Sequence, residues 1–202
     1  MNMKKIMFYL LAGILGGCLP VMSLHQLYNE PDTIYDQKLI GSWVDEANGV
    51  TMDFSRPEGE GKAYRLLYTS IDKDTKKTAK GIFVVRLVKL ENKLFLDFFP
   101  EELPNGSLED PNSYKWYYNA FFLIPGHTFA VVDSIEPQLK MRITNIDKMK
   151  EFLEKEPNAV KHEMVSGNLV LTAKTAELQK FVIKYVNNKD VFSTEMILKR
   201  QK

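Results

Sequence analysis

The sequence is poor in cysteine and histidine, the residue types that build disulfides and many metal sites. Among 202 residues there is one cysteine, Cys18, and three histidines, His25, His127 and His162. A single cysteine excludes an intrachain disulfide and any zinc site made of several thiolates. The histidines are far apart in sequence, with no further ligand at the spacing of a metal motif, so the sequence predicts no metal site.

The sequence also lacks an excess of charge of either sign. It has 27 basic and 26 acidic residues, and loss of an N-terminal leader containing Lys4 and Lys5 would leave 25 against 26. Phosphate binding needs clustered Lys and Arg, so a near-neutral chain of this kind is not expected to bind nucleic acid. The densest basic run, "DKDTKKTAK" at 72–80, is diluted by two aspartates and is predicted to be a solvated turn.

Motifs that carry chemistry are missing as well. The sequence contains no phosphate-binding glycine loop, no Gly-x-Ser-x-Gly and no His-Glu-x-x-His. His127 could act in acid–base catalysis only with a nucleophile or carboxylate in reach, which the sequence does not reveal. We therefore predict a protein that is not an enzyme and carries no cofactor.

The longest apolar run is short for a membrane span. It covers residues 6–22, which is at the lower limit for crossing a bilayer, and it includes three glycines and Pro20. Lys4 and Lys5 precede it, and the small residues Gly16 and Gly17 come before Cys18. This basic, apolar, small-residue order is typical of a secretory signal peptide.

The tetrapeptide Leu15-Gly16-Gly17-Cys18 resembles the lipobox of bacterial lipoproteins, although Gly16 stands where Ala or Ser is more usual. The resemblance implies a signal peptide at 1–17, lipidation of Cys18 and attachment to a membrane of the cell envelope. Leu19 favours the outer membrane, facing the periplasm, if the source is Gram-negative. Residues 18–37 are then predicted to be a lipidated tether. An uncleaved membrane helix and ordinary secretion are the alternatives.

From residue 38 onward the dominant pattern is short β-type segments separated by turn residues. In "VTMDFS" at 50–55, for example, apolar and polar residues alternate cleanly. Residues 100–113 form a predicted long loop, followed by a predicted strand at 114–124. Helical spacing appears late, at 147–156 and 174–188. These features predict a mainly β domain at 38–202, an antiparallel meander closed into a barrel with one or two late helices packed outside.

The tripeptide Gly41-Ser42-Trp43 on the first predicted strand resembles the Gly-x-Trp signature of the lipocalins. That resemblance implies an eight-stranded barrel in which the Trp packs across the closed end and an Arg from a late strand covers it. Arg200 is the first candidate for this Arg, and Arg142 is a weaker one. The second motif of the family, a Thr-Asp-Tyr turn, is missing. Another barrel or sandwich, or an open α+β sheet, are the alternatives.

Two strand faces predict an apolar interior with several phenol groups. One face carries Tyr64, Leu66 and Tyr68, and the other carries Trp116, Tyr118 and Phe122. Such a lining suits a small apolar or amphiphilic ligand, which makes a ligand-binding lipoprotein the first functional prediction. The alternative is an envelope interaction protein, because side chains alone can fill the interior of an eight-stranded barrel.

Overall fold

The fold is described from a computed structural model, which covers residues 20–57, 59, 61–71, 75–101 and 124–201. Short 3-10 turns occupy Glu30–Asp32 and Gln37–Leu39. The strands and helices are β1 (Met22–Ser23), β2 (Thr33–Ile34), β3 (Gly41–Asp45), β4 (Val50–Ser55), β5 (Ala63–Ile71), β6 (Thr78–Leu90), β7 (Lys93–Pro100), β8 (Thr128–Ser134), β9 (Gln138–Ile143), α1 (Ile146–Lys155), β10 (His162–Val165), β11 (Asn168–Leu171), α2 (Thr175–Lys184) and β12 (Thr194–Arg200).

Eight antiparallel strands form a closed barrel, which confirms the predicted fold class. Strands β3 to β9 follow one another as a meander, and β12 lies between β9 and β3 to complete the ring. The β12–β3 seam is short: Lys199 pairs with Val44 and Arg200 with Trp43, and the Gln201 amide donates to the Ser42 carbonyl. Each barrel strand therefore has a partner strand on both sides, although β12 pairs with β3 only near its end.

The inward face of the barrel follows the alternation read from the sequence. On β4, Val50, Met52 and Phe54 are buried, whereas the residues between them are only partly covered. The same alternation on the other strands gives one continuous interior cluster that includes Trp43, Tyr64, Leu66, Val85, Leu96, Met141 and Leu198.

A second apolar cluster covers the outside of the wall formed by β6, β7 and β8. Helices α1 and α2 and a small sheet, ordered β1-β11-β10, pack on outward residues such as Val88, Phe95 and Val131. The two helices therefore lie outside the barrel, as predicted. In the part of the chain that the structure describes, no helix combines the length and apolar character needed to span a bilayer.

Residues 20–39 pack against the domain, where the sequence analysis predicts a tether. Val21, Leu27 and Leu39 are at most 2% exposed. The segment 20–28, here called the N-terminal arm, hydrogen-bonds to three parts of the fold: the Val21 amide donates to Thr144 Oγ1 (3.0 Å), the Leu24 amide to the Leu171 carbonyl (2.9 Å) and the Leu27 amide to Asp97 Oδ2 (2.7 Å). The folded domain thus begins by residue 20.

Candidate functional site

The two ends of the barrel differ in how they are packed. At one end, here called the closed end, β3 begins at Gly41 and β12 ends at Arg200. At the other, here called the open end, β5 ends at Ile71 and β8 begins at Thr128. Because neighbouring strands are antiparallel, the β3–β4 and β5–β6 connections also lie at the open end.

Trp43 seals the closed end. Its ring is fully buried, its Nε1 donates to the Leu39 carbonyl (2.9 Å), and the Arg200 guanidinium lies 4.2 Å above the ring centroid. Arg200 also donates to the carbonyl oxygens of Ile40 (2.8 Å) and Lys38. This is the arrangement that the Gly-x-Trp resemblance implies, with Arg200 as the covering residue.

Gly41 permits that arrangement. Its φ is +119°, and a Cβ at this position would lie 2.8 Å from Arg200 Nη1. A side chain here would therefore strain the backbone and displace the guanidinium from the Trp43 ring. Arg142, the other sequence candidate, lies on the outer wall, where it pairs with Asp133 (2.8 Å) and lowers the pKa of that carboxyl through their hydrogen bond.

Tyr64 also belongs to the closed end. Its hydroxyl accepts from the Asp36 amide (2.6 Å) and donates to the Asp36 carbonyl (3.1 Å), and its ring stacks on Tyr35 with the centroids 5.1 Å apart. Burial raises the pKa of Tyr64 to about 12. Tyr64 thus fastens the segment leading into β3 and does not line the cavity described next.

An apolar cavity of about 280 Å³ occupies the open half of the barrel. Its lining comes from the inward faces of β4 to β9 and β12, together with the start of the N-terminal arm. The lining residues are Pro20, Met52, Leu66, Tyr68, Phe83, Phe98, Thr128, Met141, Ile143 and Met196. Three of these are methionines, whose flexible thioether side chains adapt to ligands of varied shape.

Thr128 introduces polarity into this lining. It faces inward at the first position of β8, and its buried Oγ1 has no hydrogen-bond partner among the described residues. A buried hydroxyl without a partner is unfavourable by about 1–3 kcal/mol. A ligand that brings a polar group to this part of the cavity would remove that cost.

The structure separates the residues that the sequence analysis grouped as a ligand site. Leu66 and Tyr68 line the cavity, whereas Tyr64 shares their strand face but lies at the closed end. Trp116, Tyr118, Phe122 and Cys18 lie outside the described residues. Met52, Met141 and Met196 were not singled out as ligand-binding residues. Polar neighbours on both sides mark Met52 and Met141 as inward-facing, whereas Met196 is followed by Ile197.

A hydrogen-bonded contact between Asp97 and His127 lies outside the barrel, between its wall and the N-terminal arm. Asp97 is 1% exposed, and its Oδ1 is 2.6 Å from His127 Nδ1 while its Oδ2 accepts from the Leu27 amide. The backbone of His127 exchanges two 2.8 Å hydrogen bonds with Ser23. No local sequence pattern predicts this contact, because the two residues are brought together only when β7 and β8 pair. Its geometry fastens the arm.

Other candidate sites are weaker. No group of three His, Cys, Asp or Glu side chains in the described ranges could hold a metal ion. A second cleft, of about 290 Å³, lies on the surface beside α2 and is lined partly by Lys161, Lys180 and Lys184. Lys161 is already paired with Glu177 at 2.9 Å. The apolar cavity at the open end is therefore the candidate functional site.

The fold and cavity define a class of protein: a closed eight-stranded antiparallel barrel with one end sealed and an apolar cavity at the other. Comparison with protein families, curated proteins and solved structures finds no match to this chain. The function is therefore argued from the cavity itself.

Proposed function

We propose that this chain is a lipid-anchored envelope protein whose barrel binds a small apolar or amphiphilic molecule. The observation that carries the proposal is the cavity at the open end, where inward side chains leave about 280 Å³ unfilled. A well-packed interior has few voids larger than a water molecule, so this volume is more than loose packing would leave.

The cavity also limits the kind of ligand. Its volume is slightly below the range of about 300–1,000 Å³ usual for small-molecule sites. A single short chain or one ring system fits that volume better than a bulky polycycle. The apolar lining excludes a strongly charged body, while Thr128 and the Tyr68 phenol provide polarity for a head group.

The anchor is proposed from the leader. Lys4 and Lys5, the apolar run and the lipobox-like Leu15-Gly16-Gly17-Cys18 together support cleavage before Cys18 and acylation of its thiol. Two or three acyl chains hold a protein on a membrane far more stably than one. We place the mature chain in the cell envelope, at the outer membrane facing the periplasm in a Gram-negative source.

Native mass spectrometry of the full chain, extracted from membranes in mild detergent, tests both parts. The proposal expects a mature mass that begins at an acylated Cys18, and a reproducible non-covalent adduct of lipid-like mass. A Cys18→Ala variant that is still processed and still fractionates with membranes would contradict the anchor. A ligand-free barrel that also excludes apolar dyes would contradict the binding function and favour the alternative of a protein–protein interaction module.

A further inference from the structure

The part of the chain that the structure describes begins at the mouth of the cavity. Pro20 lines the cavity, and the next residues of the arm are fixed to the barrel, Val21 through Thr144 (3.0 Å) and Ser23 through His127 (2.8 Å). Only Leu19 separates Pro20 from Cys18. Two residues of chain reach at most about 7 Å, so acyl chains on Cys18 would enter a bilayer beside the cavity mouth.

Exposed apolar residues surround that mouth. Met22 is 36% exposed, Ile71, at the end of β5, is 47% exposed, and Ile124, just before β8, is 73% exposed. Together with Pro20 they are here called the apolar rim. At the closed end, the exposed residues Gln37, Lys38, Ser55, Glu91 and Asn92 are polar. Pro137 is exposed there too, but none of the large exposed hydrophobic residues of the described chain lies at that end.

The β10–β11 hairpin extends the same apolar character beside the arm. Strand β11 runs parallel to β1, with Met22 opposite Val170. The hairpin turn at Ser166–Gly167 therefore projects towards the side on which the arm begins. Met164 and Val165, which precede this turn, are 52% and 56% exposed.

We propose that the open end of the barrel docks on the bilayer that holds the anchor, with the apolar rim against the lipid surface and the cavity mouth facing the membrane. This inference rests on the proposed acylation of Cys18. It implies that ligand passes between bilayer and cavity without crossing water. It also explains why, among the described residues, large apolar side chains are exposed at the open end and not at the closed end, since a surface in contact with lipid gains from them.

Among the described residues, the open end carries charges of both signs. Lys76, Lys77 and Lys80 lie on its β5–β6 side, and at the same end Asp45 is the last residue of β3 and Glu46 lies in the β3–β4 turn. Charges of both signs cancel in their attraction to an anionic surface. Vesicles of phosphatidylcholine alone are therefore sufficient for a test, and the docking is expected to be insensitive to salt.

Site-directed fluorescence on the full acylated chain in phosphatidylcholine vesicles tests the orientation. Acylation leaves the chain without a free thiol, so Ile71→Cys and Ile124→Cys can each carry one nitrobenzoxadiazole label. Ser55→Cys, at the exposed end of β4, is the matched control at the closed end. We expect doxyl-labelled lipid to quench the two rim probes about threefold more than the control, with a blue-shifted emission only at the rim.

The outcomes separate the docking from the function on which it rests. Rim and control probes that are quenched equally, or a control quenched more strongly, would overturn the docking while an acylated mature mass leaves the anchor intact. A mature chain without acyl groups would overturn the anchor and the docking together. A cavity found empty of ligand would overturn the binding function, and the probes would still decide the orientation.

Discussion

At the scale of single residues, the closed end of the barrel is held by contacts that only particular side chains can make. Trp43 is fully buried, its indole N–H is bonded to the Leu39 carbonyl, and Arg200 covers its ring at 4.2 Å. Cation–π contacts of this kind contribute about 0.5–2 kcal/mol, depending on how far water is excluded. The seal therefore depends on the close approach of Arg200 that Gly41 allows.

Gly41→Ala is expected to lower the free energy of unfolding by about 2–3 kcal/mol, because it adds backbone strain at positive φ and a clash with Arg200. Urea denaturation of the full chain measures this change. Gly59→Ala is the matched control, since Gly59 also has a positive φ (+78°) but has open space around its Cβ position. Equal losses in the two variants would show that the contact with Arg200 contributes nothing.

Tyr64 makes the stability of the folded protein depend on pH in the alkaline range. Burial raises its pKa from 10.0 to about 12, so between these values the folded state keeps the phenol proton that the unfolded chain has lost. The stabilisation is therefore complete below pH 10 and is lost as pH rises towards 12. Tyr64→Phe should show a smaller loss of stability over this window than the wild type. Tyr35→Phe removes a hydroxyl that donates to the Gln37 side chain, and this variant should follow the wild type. An unchanged slope in Tyr64→Phe would contradict the assignment.

At the scale of elements, the account depends on how the N-terminal arm is attached. The meander of β3 to β9 and the closing strand β12 could be predicted because each strand carries its own alternation and its own turn residues. The arm could not. Its order comes from hydrogen bonds to partners 70 and 123 residues away, and its own residues, which include Pro20, show no alternation of apolar and polar side chains.

Asp97→Asn is expected to loosen the arm. The substitution replaces the buried carboxylate that contacts His127 and accepts from the Leu27 amide, and a buried group left without its hydrogen-bond partner costs about 1–3 kcal/mol. Hydrogen exchange should accelerate at the amides of Ser23 and Leu27 more than in the barrel strands. Asp133→Asn, which breaks the more exposed pair with Arg142, should cost about 1 kcal/mol or less. Slow exchange in the arm of Asp97→Asn would refute the role given to this pair.

The candidate site was only partly predictable for a related reason. The inward faces of β5 could be read from the sequence, but not the level in the barrel at which each side chain lies. Tyr64 and Tyr68 lie on the same face of β5, yet Tyr64 contacts the segment at the closed end and Tyr68 lines the cavity. That difference depends on the stagger between strands and on the segment that Tyr64 meets, neither of which local pattern encodes.

At the scale of the whole molecule, the two ends of the barrel differ in structure. One end is sealed by Trp43 and Arg200, and the wall of β6 to β8 is covered by the helices and the small sheet. The other end holds the cavity, the start of the arm and the apolar rim. A sealed base, a covered wall and an open apolar mouth are the arrangement expected of a barrel that receives its ligand through one end.

The most direct test of this account is to place a large side chain on the inward face of β12, where it fills the cavity. The same substitution on the outward face of β12 is the control. Met196 lines the cavity, and Ile197, the next residue of β12, points away from it and is 40% exposed. The full chain carrying Met196→Trp or Ile197→Trp is titrated with the apolar dye N-phenyl-1-naphthylamine, and circular dichroism verifies that both variants are folded. We predict that Met196→Trp weakens dye binding by about tenfold or more, since the larger ring occupies the space, and that Ile197→Trp binds like the wild type. Equal affinity in the two folded variants, or no saturable binding by the wild type, would contradict the claim that the cavity is the functional site.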